Sequence, residues 1–517
     1  MLKDNYDTEP TEIDTLVFEK RVPPDHSLRR VKQLIDFARF RDLVADCDSP
    51  AMGRTAHDPV RMIKLAFLQL HSTLSDREVI ATAQVNVALR FFLDLSLESR
   101  LPVPSLLTQC RMRLGTERHQ VLFDQLVPQA REYGLIRDRL RLKDATHVLA
   151  NIAVPSTLRL VAQTRQRLFD TARPYAPEQV ATDEAEAELV RQATADRPDM
   201  ERLVARVAHL RAIVAWVDTV HQPLETLSTA PDPAWTRLEA ALTLAQHVLA
   251  DRDNPDKGDK VLSVVDPDAR CGKHGAYVDG YLLDISLDAA SELLTARNVL
   301  PGNGDETRDA PTLLAAEQQA QGNTIEALSM DGVGWNGEVL QTWSAPEGGG
   351  VTVSVPPPPL VETPWFGPEA FVLDAEHGVL TCPGGQQTAT KTRKASNSGW
   401  QFAFARRQCA ACPLQAQCLP TLPQQQGRSV TKNDDQAAYD AARARAATDR
   451  YAAVRRQHPR VERKLADIVR YHGGRRCRYR GQWRVNIQYL LTGLVVNVKR
   501  MVKLLCPAGA ACALTTG

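Results

Sequence analysis

An alternating stretch, Leu140–Val148, constrains the fold of this chain most strongly. Leucine, threonine and valine side chains share one face of it with Asp144, and mostly basic side chains occupy the other. Such alternation predicts a β-strand. Similar patterns predict further strands at 260–265, 275–287, 293–300 and 324–330, with a helix at 310–321 before the last strand.

Residues 158–250 have a different pattern, rich in Ala, Arg and Glu, with leucine at three- and four-residue spacing. This spacing predicts a long helical hairpin inserted between the first two strands. Strands and helices in this order are typical of the α/β class.

The N-terminal part, residues 26–135, has helical patterns. Pro59–Leu70 predicts a helix, Ser75–Glu78 has the form of a capping box, and a third helix is expected to run from about Pro104 to Gly115. Short helices with tight connections are consistent with a helix-turn-helix, whose DNA-facing side chains would be Ser105, Thr108, Gln109 and Arg111. The alternative is a plain helical bundle used for dimerisation.

Charge is segregated along the chain, although the formal net charge is only +1. Residues 391–503 contain 24 Lys and Arg but 6 Asp and Glu, a local charge of +18, which leaves −17 for the remainder. A split of this size predicts a C-terminal part that faces a polyanion such as DNA.

The sequence gives no reason to expect a membrane protein. No run of 18 apolar residues occurs, and the longest candidate, Ile487–Val498, is too short to span a bilayer. The N-terminal residues are acidic and polar, unlike a secretory signal. A cytoplasmic location with reduced or metal-bound cysteines is therefore expected.

Four cysteines are concentrated in a loop-rich region, as Cys-x26-Cys-x2-Cys-x5-Cys: Cys382, Cys409, Cys412 and Cys418. Four thiolates suit tetrahedral Zn²⁺ and leave no open position, so a structural zinc knuckle is the preferred interpretation. Ordinary buried cysteines and a redox Cys-x2-Cys pair are the alternatives, and no thioredoxin-like pattern surrounds the pair.

Three acidic residues stand out by position. Asp144 lies on the apolar face of the first strand, Asp331 ends the last predicted strand, and Glu462 begins an apolar helical stripe. A carboxylate on a buried face is costly unless it is paired or binds metal. Two strand aspartates and a helix glutamate are what a two-metal phosphoryl-transfer site requires.

Each of these acids, taken alone, can also be a strand-end or capping residue. Asp266 and Asp268 are rival carboxylates. His147 and Asn151 either line the site or are hydrogen-bonded strand-end residues.

The chain resembles DDE-type bacterial insertion-sequence transposases, of the group usually numbered eleven eighty-two within the IS4/IS5-like assemblage. The motifs that carry the resemblance cover nearly the whole length: Val22–Arg30, Asp58–Val60, Leu74–Glu78, Leu89–Phe92, Asp144–His147, Asp266–Arg270, Ser329–Asp331, Val461–Lys464, Arg478–Gly481 and Asn497–Arg500. Two departures occur: Gly334-Trp335 replaces Gly-Tyr, and the Tyr-Arg-Glu-Lys spacing of some relatives is absent around Glu462.

The resemblance implies an RNase H-like core, with Asp144, Asp331 and Glu462 holding two Mg²⁺ (or Mn²⁺). It implies cleavage at terminal inverted repeats, transfer of 3′-OH ends into target DNA, and a homodimer on paired ends, associated with the nucleoid when bound to DNA. The domains expected are a helical N-terminal DNA-binding or dimerisation domain (1–135), the first part of the core (136–334), a loop-rich insertion with the four-cysteine zinc knuckle (335–434) and a C-terminal helical part (435–517).

The basic C-terminal segment is expected to contact DNA. Eight cations lie between residues 463 and 484, with aromatic residues among them, and cations with interleaved rings suit phosphates and exposed bases. The predicted DNA contacts are Arg111, Arg475, Arg476, Arg478, Arg480, Arg484, Lys499 and Arg500. An inactive, transposase-derived DNA-binding protein is the alternative function.

Overall fold

The computed structural model describes residues 9–47, 57–225, 232–254, 258–344, 350–359, 364–394, 399–419 and 427–507. The chain divides into two compact units. The first comprises residues 1–137, 144–323 and 460–517, and the second comprises residues 138–143 and 324–459.

The first unit begins with helices, as the sequence predicts: α1 (Glu12–Arg21), α2 (Ser27–Leu34), α3 (Pro59–His71), α4 (Asp76–Val85), α5 (Val87–Phe92), α6 (Pro104–Asp124) and α7 (Leu126–Glu132). The predicted capping box is confirmed, because Ser75 accepts from the Glu78 N–H while the Glu78 carboxylate accepts from the Ser75 N–H. Helix α6 does not end at Gly115 but continues past a kink there, where φ is +63°.

The insertion after strand β1 (Leu140–Leu149) contains four helices: α8 (Thr157–Ala172), α9 (Pro177–Ala193), α10 (Asp199–Glu225) and α11 (Pro233–Asp253). They share their own apolar core. The strand predicted at 260–265 is wrong. Val261 and Val264 are buried in this helical core instead, and the Val261 N–H donates to the Asp251 carboxylate at 2.8 Å.

The strands of the first unit form an antiparallel meander of β2 (Arg270–His274), β3 (Ala276–Asp288) and β4 (Leu294–Pro301), followed by helix α12 (Glu306–Gln321). The strand predicted at 275–287 is confirmed as β3, and Gly275, with a φ of +72°, forms the turn that joins it to β2, a strand that the sequence did not predict. Strand β3 also pairs with β1.

The second unit contains short elements. They are β5 (Ala327–Ser329), α13 (Gly337–Ser344), β6 (Thr352–Ser354), β7 (Val372–Asp374), β8 (Val379–Thr381), β9 (Gln387–Thr388), β10 (Lys391–Lys394), β11 (Gly399–Ala403), α14 (Arg406–Ala410), α15 (Gln415–Cys418), β12 (Ser429–Asn433), α16 (Gln436–Ala446) and α17 (Asp449–Arg455). Strand β5 runs parallel to the first residues of β1, with Leu142 opposite Ser329, and parallel to β6. The remaining strands form two small antiparallel sheets, β7-β8-β9 and β10-β11-β12.

The chain closes with α18 (Pro459–Tyr471) and α19 (Gln482–Leu505). Helix α19 is expected to be amphipathic, but nearly all its residues from Val485 to Val498 are buried. Its apolar side chains share one core with helices α2 to α7. The architecture is therefore mixed α/β, in agreement with the predicted class. No helix within the described ranges is long and apolar enough to cross a membrane.

A polar residue inside α19 fixes the helix to the sheet. The Asn497 amide accepts from the Leu294 N–H and donates to the Leu294 carbonyl, both at 2.8 Å, and the side chain is 2% exposed. These two bonds satisfy main-chain groups at the start of β4 that water does not reach.

We expect Asn497→Ala to lower the free energy of unfolding by about 2–3 kcal/mol, because it leaves a buried N–H and a buried carbonyl without partners. Denaturant titration measures the change. Lys503→Ala, on an exposed position of the same helix, is the control and should change stability by less than about 0.5 kcal/mol. Equal losses of stability in the two variants would contradict a stabilising role for the Asn497 hydrogen bonds.

Candidate nucleic-acid interface and metal-binding residues

The basic segment 473–484, here called the arginine loop, is fixed to the end of β1. The Leu149 N–H donates to the Arg475 carbonyl at 2.9 Å, and the Cys477 N–H donates to the Leu149 carbonyl at 2.8 Å. Side chains add to this: Arg480 donates to the Asn151 carbonyl at 2.9 Å, and Asn151 donates to the Arg478 carbonyl at 3.3 Å. The loop therefore lies beside the strand that carries Asp144.

Two aspartates hold the other end of the arginine loop. Asp266 is fully buried and accepts from the Tyr281 hydroxyl and from the Gly481 N–H, while Asp268 accepts from the Gln482 N–H at 2.9 Å. Burial raises the pKa of Asp266, and the two bonds to it act in the opposite direction. The rival carboxylates thus position the loop and the start of α19.

A pocket of about 740 Å³ opens between the arginine loop and the N-terminal helices of the same unit. The loop contributes Arg478, Tyr479, Arg480, Trp483 and Arg484 to its lining. Trp483 is 39% exposed, and the Arg484 guanidinium lies 4.8 Å from its ring centroid. Cations beside an accessible ring form a surface suited to phosphate and base.

The opposite wall of the pocket comes from α4 and α6. Arg111 is 6% exposed, forms an ion pair with Asp76, donates to Gln69 at 3.3 Å and lies 5.2 Å from the centroid of the Tyr479 ring. A side chain held in this way supports the wall rather than reaching outward. Of the other residues predicted to face DNA from this helix, Ser105, Thr108 and Gln109 are exposed, and Thr108 donates to Asp76 at 2.9 Å.

The remaining predicted DNA contacts differ in their availability. Arg475 and Arg476 are exposed, although Arg475 also donates to the His147 carbonyl at 2.9 Å. Lys499 donates to the His71 carbonyl at 3.0 Å, and Arg500 donates to the Ser291 carbonyl at 2.8 Å. The last two side chains therefore have partners within the protein.

The two predicted catalytic aspartates are half-buried. Asp144 lies in β1, and its Oδ1 accepts from the adjacent Ala145 N–H at 2.8 Å. Asp331 follows β5, and its Oδ1 accepts from the Val333 N–H at 3.2 Å. Asp144 belongs to the first unit and Asp331 to the second.

The prediction that Glu462 lies on the inward face of its helix is wrong. The buried stripe of α18 is Val461, Lys464, Leu465 and Ile468, and Glu462 is exposed. The stripe is shifted by one residue, about 100° around the helix, from the one expected. Because Glu462 is exposed, the cost of burying a carboxylate gives no argument for a metal there. Its assignment as a metal ligand rests only on its position in the family motif.

Sequence reasoning missed a buried polar cluster behind Asp331. Arg455 donates to the Ser329 hydroxyl at 3.0 Å and to the Met330 carbonyl, and His458 lies 3.1 Å from the same hydroxyl. Burial lowers the pKa of His458 to about 4, so its ring is neutral at pH 7. These contacts fix the end of β5, directly before Asp331. The only signal in the sequence is the arginine upstream of Glu462.

The four clustered cysteines line one small cavity of the second unit, with a volume of about 20 Å³. The backbone turns beside two of them: the Gly385 N–H donates to the Cys382 carbonyl, and the Cys412 N–H donates to the Cys409 carbonyl. The Arg428 N–H donates to Cys409 Sγ at 3.4 Å. Burial raises the pKa of Cys418, and the three other thiols add to this rise.

Comparison with known proteins gives two matches. Residues 381–502 match the family model of a transposase DDE domain, and residues 16–113 match that of a transposase domain (DUF772). No curated protein and no solved structure matches the chain. The chain is therefore similar to transposases in these two regions.

Both matched regions contribute to the pocket beside the arginine loop. The α4 and α6 residues of its lining lie within the first match in chain order, and residues 478–487 lie within the second. Asp144 and Asp331 lie outside both matches, whereas Glu462 and the four cysteines lie inside the DDE-domain match.

We expect Arg484→Ala to reduce the slope of log K against log salt for duplex DNA by ~0.9, because one phosphate contact and its released counterion are lost. Fluorescence anisotropy at several salt concentrations measures the slope. The control is Arg237→Ala, an exposed arginine of α11, which should leave the slope unchanged. An equal loss in both variants, or none in Arg484→Ala, would argue against the pocket as the DNA-binding surface.

Proposed function

We propose that this protein is a transposase that cuts DNA at the terminal inverted repeats of its element and transfers the 3′-OH ends into target DNA. The observation that carries this proposal is the pair of matches to transposase domain models, at residues 16–113 and 381–502. The arginine-lined pocket, to which both matched regions contribute, supports it.

The carboxylate trio proposed for catalysis is Asp144, Asp331 and Glu462. Asp144 lies in β1 and Glu462 in α18 of the first unit, and Asp331 follows β5 in the second unit. Their assignment rests on the sequence motifs in which they lie, and two aspartates with a glutamate are the donor set of a two-metal phosphoryl-transfer site.

The chemistry of this donor set fits Mg²⁺ or Mn²⁺, which prefer hard oxygen ligands. Each aspartate accepts from a neighbouring main-chain N–H, which helps to fix the direction of its carboxylate. Two bound ions would activate the attacking oxygen and stabilise the leaving oxygen.

The protein itself provides positioning and charge. The exposed arginines of the loop neutralise phosphates, and Trp483 provides a ring on which an unstacked base can lie. Water is the first nucleophile and the freed 3′-OH is the second, so no side chain forms a covalent intermediate. Because such enzymes join two DNA ends, we propose a homodimer as the working form.

Asp144→Asn is expected to slow Mg²⁺-dependent cleavage of terminal-repeat DNA by roughly 100-fold or more. Losing a residue that only hydrogen-bonds to a metal ligand already costs about 10–100-fold in activity, and losing the ligand itself should cost at least as much. DNA binding should stay within about threefold of that of the unmodified protein. The measurement is single-turnover cleavage on a labelled duplex, with anisotropy for binding.

Asp268→Asn is the matched control, because it removes the charge of an exposed rival carboxylate while the asparagine Oδ1 can still accept from the Gln482 N–H. Cleavage should persist in it. The trio is refuted if Asp268→Asn abolishes cutting while Asp144→Asn does not. An unmodified protein that binds terminal repeats but never cuts them would favour the alternative, an inactive DNA-binding derivative.

We propose a structural Zn²⁺ at Cys382, Cys409, Cys412 and Cys418. A Cβ added at Gly384 would lie 2.9 Å from Cys412 Sγ and 3.7 Å from Cys382 Sγ, so the turn leaves room only for glycine against the thiols. The N–H of Arg428 on Cys409 Sγ is the kind of bond that supports a metal-bound thiolate. No three of the four sulfurs lie within 4.8 Å of one another, so zinc binding requires these side chains to move closer together.

Cys412→Ser is expected to remove one Zn²⁺ per chain and to lower the thermal stability of the protein, because structural zinc contributes directly to folding. Metal analysis of the purified protein gives the stoichiometry. Cys271→Ser, an isolated half-buried thiol, should keep its zinc. Freshly purified protein without zinc would refute the proposal.

A further inference from the structure

The helical insertion contains a group of potential metal ligands that the proposed transposase chemistry does not use. Asp183 and Glu186 lie one turn apart on α9, and His209 lies on α10. One ligand atom of each residue lies within 4.8 Å of the other two. Acidic groups alone are common on helices, so the argument depends on the histidine.

His209 is buried, with 4% of its side chain exposed. In the part of the chain that the structure describes, neither its Nδ1 nor its Nε2 has a hydrogen-bond partner. A Glu186 carboxylate oxygen lies 3.8 Å from Nε2, which is too long for a hydrogen bond. Buried imidazoles normally have a partner, so this ring is placed for a ligand that bridges it to the carboxylates.

The carboxylate of Asp183 is already oriented. It is 6% exposed and accepts from the Trp216 indole N–H at 2.6 Å and from the Gln179 amide at 3.2 Å. Carboxylates that bind metal typically accept hydrogen bonds from neighbouring protein groups. Such bonds fix the direction of the carboxylate and leave acceptor positions available. Glu186, with 59% of its side chain exposed, leaves the group open to solvent on one side.

We propose that Asp183, Glu186 and His209 form a binding site for a divalent transition-metal ion, with Zn²⁺ as the preferred occupant. One imidazole and two carboxylates favour Zn²⁺ over Mg²⁺ or Ca²⁺, which take oxygen ligands. The charges of Glu186 and Asp183 favour a cation beside His209, and the charge of Arg165 opposes it. Bound metal would link α9 to α10 and stabilise the insertion.

The test is Zn²⁺ titration of the full-length protein in excess Mg²⁺, with stoichiometry and affinity measured by calorimetry. Unmodified protein should bind one more Zn²⁺ per chain than Glu186→Gln, or bind that ion at least about tenfold more tightly. Glu186 is exposed and the substitution is isosteric, so the fold should persist, as circular dichroism can verify. His209→Gln should lose the same ion.

Glu184→Gln is the matched control, since it removes the same charge two residues away and affects an exposed ion pair with Arg173 and a hydrogen bond with Gln166, both outside the proposed site. It should retain the ion with affinity within about threefold of the unmodified protein. Zn²⁺ should also slow hydrogen exchange across residues 177–225 in the unmodified protein and in Glu184→Gln, but not in Glu186→Gln. Equal Zn²⁺ binding by all four proteins, or equal loss in Glu184→Gln and Glu186→Gln, would overturn the site.

Discussion

The burial of helix α19 is the constraint on which the first unit depends. Its apolar side chains complete the core of the N-terminal helices, and its Asn497 amide binds both main-chain groups of Leu294 in β4. One helix therefore joins two parts of the chain that are far apart in sequence. Burial of its apolar surface stabilises the packing against the N-terminal helices. The Asn497 bonds stabilise the packing against β4, because they satisfy buried main-chain groups.

The arginine loop is positioned by the same helix. Its last three residues form the first turn of α19, and Asp266 and Asp268 accept from the Gly481 and Gln482 N–H groups where that helix begins. The loop's other end is hydrogen-bonded to Leu149 of β1. In an unrestrained segment, closely spaced arginines would repel one another. In this loop, main-chain hydrogen bonds and the Asp266 and Asp268 side chains keep the arginines close together. This fixes exposed cations beside the strand of Asp144.

Charge by itself does not distinguish the roles of the basic residues. Arg111 is used in a buried ion pair, and Lys499 and Arg500 donate to carbonyls of the protein, whereas Arg484 stacks on an exposed ring. A sequence count treats all four alike. Only the last has the exposure that a phosphate contact needs. For the same reason, the partnerless nitrogens of His209 could not be predicted from the sequence, since nothing in its neighbours marks it.

Local patterns in the sequence determined the mixed α/β class, the strands at Leu140–Leu149 and Leu294–Pro301, the Ser75 capping box and the clustering of cysteines and arginines, because periodicity and capping depend on near neighbours. The tertiary structure alone decided that residues 260–265 pack into a helical core as an irregular segment and that Glu462 faces outward. It also decided which basic side chains remain exposed for contact with phosphates. Burial and pairing depend on residues hundreds of positions away, such as those that bring α19 against β4, and a local pattern contains no record of them.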